Sequence, residues 1–314
     1  MSVIRSKRSK KSSSVGNKYL SGAAQSWFLW VAPFFLPAIF FQSSIFAFIS
    51  PLPFFIVTLK NRTWISLLAL FTNVALIYAM EKNLALLSFP IWFWFSIGIS
   101  FPLFIRQFRK VPAAFALSFV LAVIFLSAGI FILAHGQGYG VVDYVRMELN
   151  LGVDRLLSIP DHPIKNWVAE KGKGDLVRNL MLELPSGVLI AIILCYWFNL
   201  LLAFRTIPGF LSRAFWGAYR NPEWLVWPTL LCGIFYIYCE HVLYYVGMNG
   251  LKVLLLFYGF QGLSIVTFFL NRRQVFGLIR AVIYGFLIFI ASPFAAALGF
   301  FDQWFDFRRK FGQS

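Results

Sequence analysis

Stretches of roughly 20 mainly apolar residues follow one another along this chain, at 63–80, 84–105, 111–134, 182–204, 223–246, 249–270 and 275–300. An α-helix rises about 1.5 Å per residue, so about 20 residues cross the ~30 Å hydrocarbon core of a bilayer. No water reaches the backbone N–H and C=O groups there, and a helix satisfies them within its own segment. A further apolar region, 27–59, is interrupted by Pro33, Pro37, Pro51 and Pro53. It is too long for one span and short for two, which predicts a span plus a broken or re-entrant piece. The fold class read from this pattern is all-α, a polytopic helical membrane bundle of about eight or nine apolar segments.

Composition agrees. The chain is 60% apolar and 13% charged, with a mean hydropathy of +0.74, whereas soluble domains average about 45–50% and 25%. These values exclude an ordinary soluble enzyme, a disordered chain and a nucleic-acid-binding domain of the usual kind. Yet 28 Lys/Arg against 12 Asp/Glu leave a net charge of +16. The excess is patterned. Arg5, Lys7, Arg8, Lys10, Lys11 and Lys18 crowd a tail, 1–26, that has no acid, and further basic loops hold Lys60 and Arg62, Arg106 to Lys110, Arg205 to Arg220, and Arg272 with Arg273. The loops between them are close to neutral, and the long 135–180 loop carries six acids and six bases. Such alternation follows the positive-inside rule. It predicts a bacterial inner-membrane protein with a cytoplasmic N-terminus and the 135–180 loop outside. The C-terminal side stays open, because Ser292-Pro293 is able to turn the last segment back.

Three regions are therefore expected: the basic cytoplasmic tail 1–26, a transmembrane domain 27–300 that includes the outer loop, and an amphipathic basic tail 301–314. The N-terminal apolar region is too long for a secretion signal and is read as retained. In the outer loop, Val142, Val145, Leu149, Val153 and Leu156 recur at helical spacing opposite Asp143, Arg146, Asn150 and Asp154, which predicts an amphipathic helix lying in the interface. Asp175 reads as the N-cap of the helix that follows. Cys195, Cys232 and Cys239 form no C-x-x-C pair and read as small buried hydrophobes. The alternating glycines of His135-Gly136-Gln137-Gly138-Tyr139-Gly140 lack the strand and Lys of a phosphate loop and read as an exit turn.

Ionisable residues inside apolar segments mark candidate sites. Glu240 lies 18 residues beyond Pro222, about 27 Å along one continuous helix. In such a helix Tyr236, Glu240 and Tyr244 share a face, with His241 and Tyr245 beside it. The group reads either as a ligand or proton site or as a carboxylate among interfacial tyrosines. Arg280 either snorkels to headgroups or partners Glu240 or Glu183. Asn73, Asn199 and Gln261 are polar residues inside spans that suit interhelical hydrogen bonds more than substrate contacts. Asp302 and Asp306 sit in a segment that reads as an interfacial anchor, in which Trp304 and Phe305 lie at headgroup level and Arg308, Arg309 and Lys310 meet anionic lipid. No metal cluster, nucleophile–base pair or cofactor motif is read, so no enzyme is expected.

Three C-terminal motifs carry a resemblance: Asn221-Pro222-Glu223-Trp224-Leu225-Val226-Trp227, Tyr258-Gly259-Phe260-Gln261-Gly262-Leu263-Ser264, and Gly299 followed by Asp302, Trp304-Phe305-Asp306-Phe307-Arg308. With the earlier Ser50-Pro51-Leu52-Pro53 turn they resemble the YybS-like family of uncharacterised bacterial membrane proteins. That family is similar in hydropathy and presumed fold to the substrate-binding subunits of energy-coupling-factor vitamin transporters. The resemblance implies a compact helical bundle that captures a small molecule from outside. Residues 27–49 offer Phe, Pro and Trp where those subunits show a small-x-x-x-small docking face. Two functions are expected from the whole. One is a small-molecule binding or transport subunit with Glu240, His241, Tyr236 and Tyr244 around the ligand and Gln261 and Arg280 contributing. The alternative is a non-transporting scaffold that recruits a membrane protein partner. Anionic lipids are expected partners of the basic loops, and nucleic acid is not.

Overall fold

Proline decides how the N-terminal apolar region folds. In the computed structural model, which describes residues 30–43, 46–82, 88–207, 210 and 213–312, helix α1 (Ala32–Gln42) carries Pro37 inside it. Pro37 has no N–H, so the Pro33 carbonyl loses its i+4 donor. Asn73, fully buried in α3 (Thr63–Glu81), supplies the replacement. Its Nδ2 donates to Pro33 O at 2.8 Å and to Ala69 O at 2.7 Å, while Oδ1 accepts the Ala38 N–H at 2.9 Å. Between them lie a 3-10 turn (Ala47–Ile49) and α2 (Leu52–Leu59), so 27–59 forms short helices, none of spanning length among the described residues. The basic tail 1–26 lies outside the described residues.

The same unit, which falls within Met1–Gly129 and Phe198–Ala203, continues through α4 (Ser88–Phe93), a π-helical turn (Trp94–Ser100) and α5 (Phe101–Phe108). Pro102 cannot donate to the Gly98 carbonyl, and the ladder widens to i−5 bonds, as from Phe101 N to Ser96 O. The wide turn sets Trp94 in the core, fully buried, with Nε1 donating to Ser50 Oγ at 2.8 Å and Phe41 and Phe54 against its ring. Gly98 is needed there, since a Cβ would stand 2.8 Å from Phe54 Cβ. Arg106 donates to Thr58 O at 3.1 Å and to the Asn61 side chain, bringing the basic turns 60–62 and 106–110 to one end of this unit.

Helix α6 (Val111–Gly136) leads through the glycine turn, where Gly138 takes a φ of +77°, into α7 (Val141–Ser158), α8 (Ile164–Lys171) and α9 (Lys173–Thr206). α7 is the amphipathic helix expected: Val153 is buried and Asp143, Arg146 and Asp154 are exposed. Lys173 pairs with Asp154 at 2.8 Å, and α9 begins there, so Asp175 lies inside the first turn instead of capping it. After α10 (Arg213–Ala218) and a 3-10 turn (Glu223–Leu225) come α11 (Val226–Tyr238), α12 (His241–Arg272), α13 (Gly277–Phe289), α14 (Ser292–Phe305) and α15 (Phe307–Gly312). These belong to the second unit, within Ile130–Trp197 and Phe204–Ser314.

One expected segment differs, and another turns where Ser292-Pro293 allows it. The stretch 223–246 is no single helix: Cys239 and Glu240 are extended, His241 takes a φ of +53°, and α12 starts anew and packs back on α11. Gly247 permits that hairpin, because a Cβ there would lie 2.7 Å from Cys232 O. The last segment bends by 92° between α13 and α14. Pro293 stands in the first turn of α14, where its missing N–H costs nothing. Among the described residues, five helices (α3, Phe89–Phe108, α6, α9 and α12) are long and apolar enough to cross a membrane, or six if the bent pair counts as one span, and three shorter apolar helices accompany them.

Ion pairs mark the depth of the second unit. Lys252 of α12 bonds Glu183 of α9 at 3.0 Å. Lys252 precedes Arg272 by 20 residues and Glu183 precedes Arg205 by 22, about 30 and 33 Å of helix. Both match the hydrocarbon thickness. Arg205 and Arg272 lie at the ends of α9 and α12 opposite the Glu183–Lys252 pair, and this is the basic end of the unit. An asparagine also meets the backbone at Pro185 of α9: the proline takes the i+4 donor from Met181 O, and Asn249 bonds the adjacent groups, accepting the Ser186 N–H at 3.0 Å while donating to Leu182 O and Tyr245 O at 2.9 Å.

The repair at Pro37 is testable. Asn73→Leu leaves Pro33 O and Ala38 N–H without partners in an apolar core, at a cost of about 2–4 kcal/mol, read as a lower thermal unfolding temperature in detergent. Adding Pro37→Ala, which restores a donor to Pro33 O, is expected to recover part of that loss. An equal loss in both variants would count against the repair.

Candidate functional site

Two glycines bring α12 and α14 into backbone contact. A Cβ on Gly262 would lie 1.9 Å from Ala295 O, and one on Gly299 2.0 Å from Tyr258 O. The close approach places Asp302 of α14 beside Gln261 of α12, and both are fully buried. A buried carboxylate needs a full set of donors, and Asp302 has one. Its Oδ2 accepts from Gln261 Nε2 at 2.8 Å and Arg308 Nη2 at 2.9 Å, and Oδ1 accepts the Phe307 N–H at 2.9 Å. The last bond depends on Asp306, whose left-handed φ of +43° reverses the chain between α14 and α15.

The cluster extends from there. Gln261 Oε1 accepts the Asn221 N–H at 2.9 Å and Gln303 Nε2 at 3.1 Å, and Asn221 Nδ2 donates to Phe257 O. Tyr219 OH donates to Asn221 Oδ1 at 2.7 Å, and its carbonyl accepts from Ser264 Oγ and Arg308 Nη1. Arg308 also reaches Gly217 O at 3.1 Å. One ion pair and its amide neighbours therefore bind α10, the 219–222 loop, α12, α14 and α15 together. Ser264 precedes Arg272 by 8 residues, so the pair lies about 12 Å along α12 from its basic end.

A groove of about 570 Å³ opens beside the ion pair. Gly217, Ala218 and Phe268 give it apolar lining, and Arg220, Asn271, Arg272, Asp306 and Arg308 give it polar lining. With Arg308 neutralised by Asp302, Arg220 and Arg272 against the Asp306 carboxylate give the lining its positive excess. Arg220 stands 3.7 Å from Asp306 and 3.9 Å from Glu223, beyond hydrogen-bonding distance of either carboxylate. Arg280 supports the wall from behind, donating to Asn271 Oδ1 at 2.7 Å and to Leu270 O and Val275 O at 2.9 Å. It thereby satisfies carbonyls at the C-terminus of α12, where the helix dipole favours a cation.

The residues singled out in the sequence separate into two groups. Gln261 and Arg280 belong to the basic-end cluster. Tyr236 and Tyr244 stack at 5.3 Å near exposed Glu240 and His241, at the start of α12. Tyr244 and Gln261 are 17 residues apart, about 25 Å of one straight helix, so no single small ligand reaches both. Arg280 partners neither Glu240 nor Glu183, which holds Lys252. Arg308 is withdrawn from the lipid-facing cations, since its guanidinium is satisfied inside by Asp302 and two carbonyls. Trp304, Phe305, Arg309 and Lys310 are exposed, with Lys310 Nζ 5.2 Å from the Phe305 ring centre. The residues that reading missed are Tyr219, Arg220, Asn221, Ser264, Arg272 and Asp302. Their signal was present: the three C-terminal motifs, far apart in sequence, supply Asn221, Gln261, Gly262, Ser264, Gly299, Asp302 and Arg308, and the structure joins them.

Fold and site define a polytopic helical membrane protein with a buried ion pair and an arginine-lined groove in its C-terminal helices. The chain belongs to the family described as Predicted membrane protein (DUF2232), whose model matches residues 27–303. No curated protein and no solved structure matches it.

Removing one partner of the ion pair strands the other. Asp302→Ala is expected to cost about 3–5 kcal/mol, measured by thermal unfolding. Asp302→Leu combined with Arg308→Met is expected to cost less than Asp302→Ala alone, because no buried charge is left unpaired.

Proposed function

We propose that this family member is a small-molecule binding subunit of the membrane and that its ligand occupies the basic-end groove. The observation that carries this is a cavity of about 570 Å³ in which Arg220, Arg272, Asn271 and Asp306 converge over Phe268. Ligand pockets fall at about 300–1,000 Å³ and combine apolar lining with a few placed polar groups. A buried ionic network next to the groove supports the reading, since such groups inside a membrane protein mark binding or transport sites. Glu240, His241, Tyr236 and Tyr244 form instead an exposed aromatic rim at the other end of α12.

The test is analysis of small molecules retained by protein purified without added ligand. Ala218 lines the groove and is exposed, so Ala218→Trp fills it without entering the packed core. Wild type and Glu240→Gln are expected to retain the molecule and Ala218→Trp to lose it. Retention by Ala218→Trp together with loss from Glu240→Gln overturns the groove in favour of the other end.

A further inference from the structure

We infer that the ligand of this groove carries a phosphate whose negative charge is not cancelled by an attached amine. This rests on the groove being the binding site and names what it selects. Arginine offers planar paired donors that match phosphate oxygens. Arg308 is committed elsewhere, its charge paired with Asp302 and its terminal nitrogens engaged by Asp302, Gly217 O and Tyr219 O. Arg220 is differently placed. Its two carboxylate neighbours lie at 3.7 and 3.9 Å, and Glu223 is 83% exposed, so those contacts are weak and screened. An entering phosphate gains Arg220 without breaking a buried bond. Asn271 adds directionality, because Arg280 occupies its Oδ1 and leaves the amide's donor end for a ligand.

Depth narrows the class further. Arg272 is the last residue of α12, and Phe268 is 4 residues earlier, about 6 Å back along the apolar helix. A phosphate at the arginines would have apolar surface directly beneath it, at the level of the first carbons of an acyl chain. Basic pockets between helices take lipid headgroups in this way. A phospholipid headgroup and a soluble phosphate ester present the same chemistry to Arg220 and Arg272, and the experiment separates them.

The full chain is reconstituted in nanodiscs of phosphatidylcholine alone or with phosphatidylglycerol, and bound lipid is counted by native mass spectrometry. In parallel, detergent-solubilised protein is titrated with inorganic phosphate and with glycerol phosphate while thermal unfolding is followed. Retention of phosphatidylglycerol over phosphatidylcholine, or stabilisation by the soluble phosphates, supports the inference and identifies the source. Arg220→Gln and Arg272→Gln are each expected to weaken that binding about tenfold or more, as for a lost hydrogen bond to a charged group. Lys165→Gln, an exposed charge of α8 outside the groove, is expected to leave it unchanged. Arg220→Lys keeps the charge without the fork and covers a Gln variant that fails to fold. Equal retention of the two lipids with no response to phosphate overturns the inference, as does binding that survives both arginine variants. If phosphates fail while Ala218→Trp still displaces a co-purified molecule, the groove remains the binding site and only the ligand class is wrong.

Discussion

Backbone groups freed by proline inside an apolar medium must find another partner, and this requirement organises both units. Pro37 and Pro185 each interrupt a helix, and in each case an asparagine from a neighbouring helix accepts the N–H of the next residue, Ala38 or Ser186. The same amide donates to a carbonyl on the interrupted helix, Pro33 O, which Pro37 leaves without a donor, or Leu182 O, next to the Met181 carbonyl that Pro185 leaves, and to a carbonyl four residues back on its own helix, Ala69 O or Tyr245 O. The bond is short-range and directional, so it sets the separation and register of the two helices as well as repairing one. Apolar packing alone would not, because lipid tails solvate leucine and phenylalanine as well as another helix does.

The C-terminal helices solve a harder problem with the same means. Asp302 is a full charge in the interior, and it is tolerable because Arg308, Gln261 and the Phe307 N–H supply donors from three directions. That arrangement requires α12 and α14 to touch at Gly262 and Gly299, and it requires the left-handed turn at Asp306. Glycine, carboxylate and turn are therefore one device. Its by-product is the groove: holding the chain after α14 against α10 and α12 leaves Arg220 and Arg272 flanking an opening that packing does not fill.

Much of the secondary structure was legible. The amphipathic stripe of 141–157, the broken character of 27–59 and the bend at Ser292-Pro293 all follow from spacing and from proline. The break at Cys239-Glu240 was not legible, since no Gly or Pro marks it and Glu240-His241 read as ionisable residues within one continuous helix. It exists because α12 packs back on α11 across Gly247. The site was half legible. Gln261 was singled out for its polarity and Arg280 for its charge, whereas Asp302 and Arg308 looked like interfacial residues because periodicity cannot tell a carboxylate facing water from one facing a partner six residues away.

By itself the sequence determined that this chain is a helical membrane protein and where its charges accumulate, because hydropathy and segment length answer to the thickness and dielectric of the bilayer. Only the tertiary structure decided which polar residues meet. Gln261 and Tyr244 share one helix yet lie at opposite depths, while Asn221, Gln261, Asp302 and Arg308 come from distant segments and close on one another. Hydrogen bonds and ion pairs act over about 3 Å, so their partners are fixed by the contact of helices in space, and hydropathy along the chain carries no record of that contact.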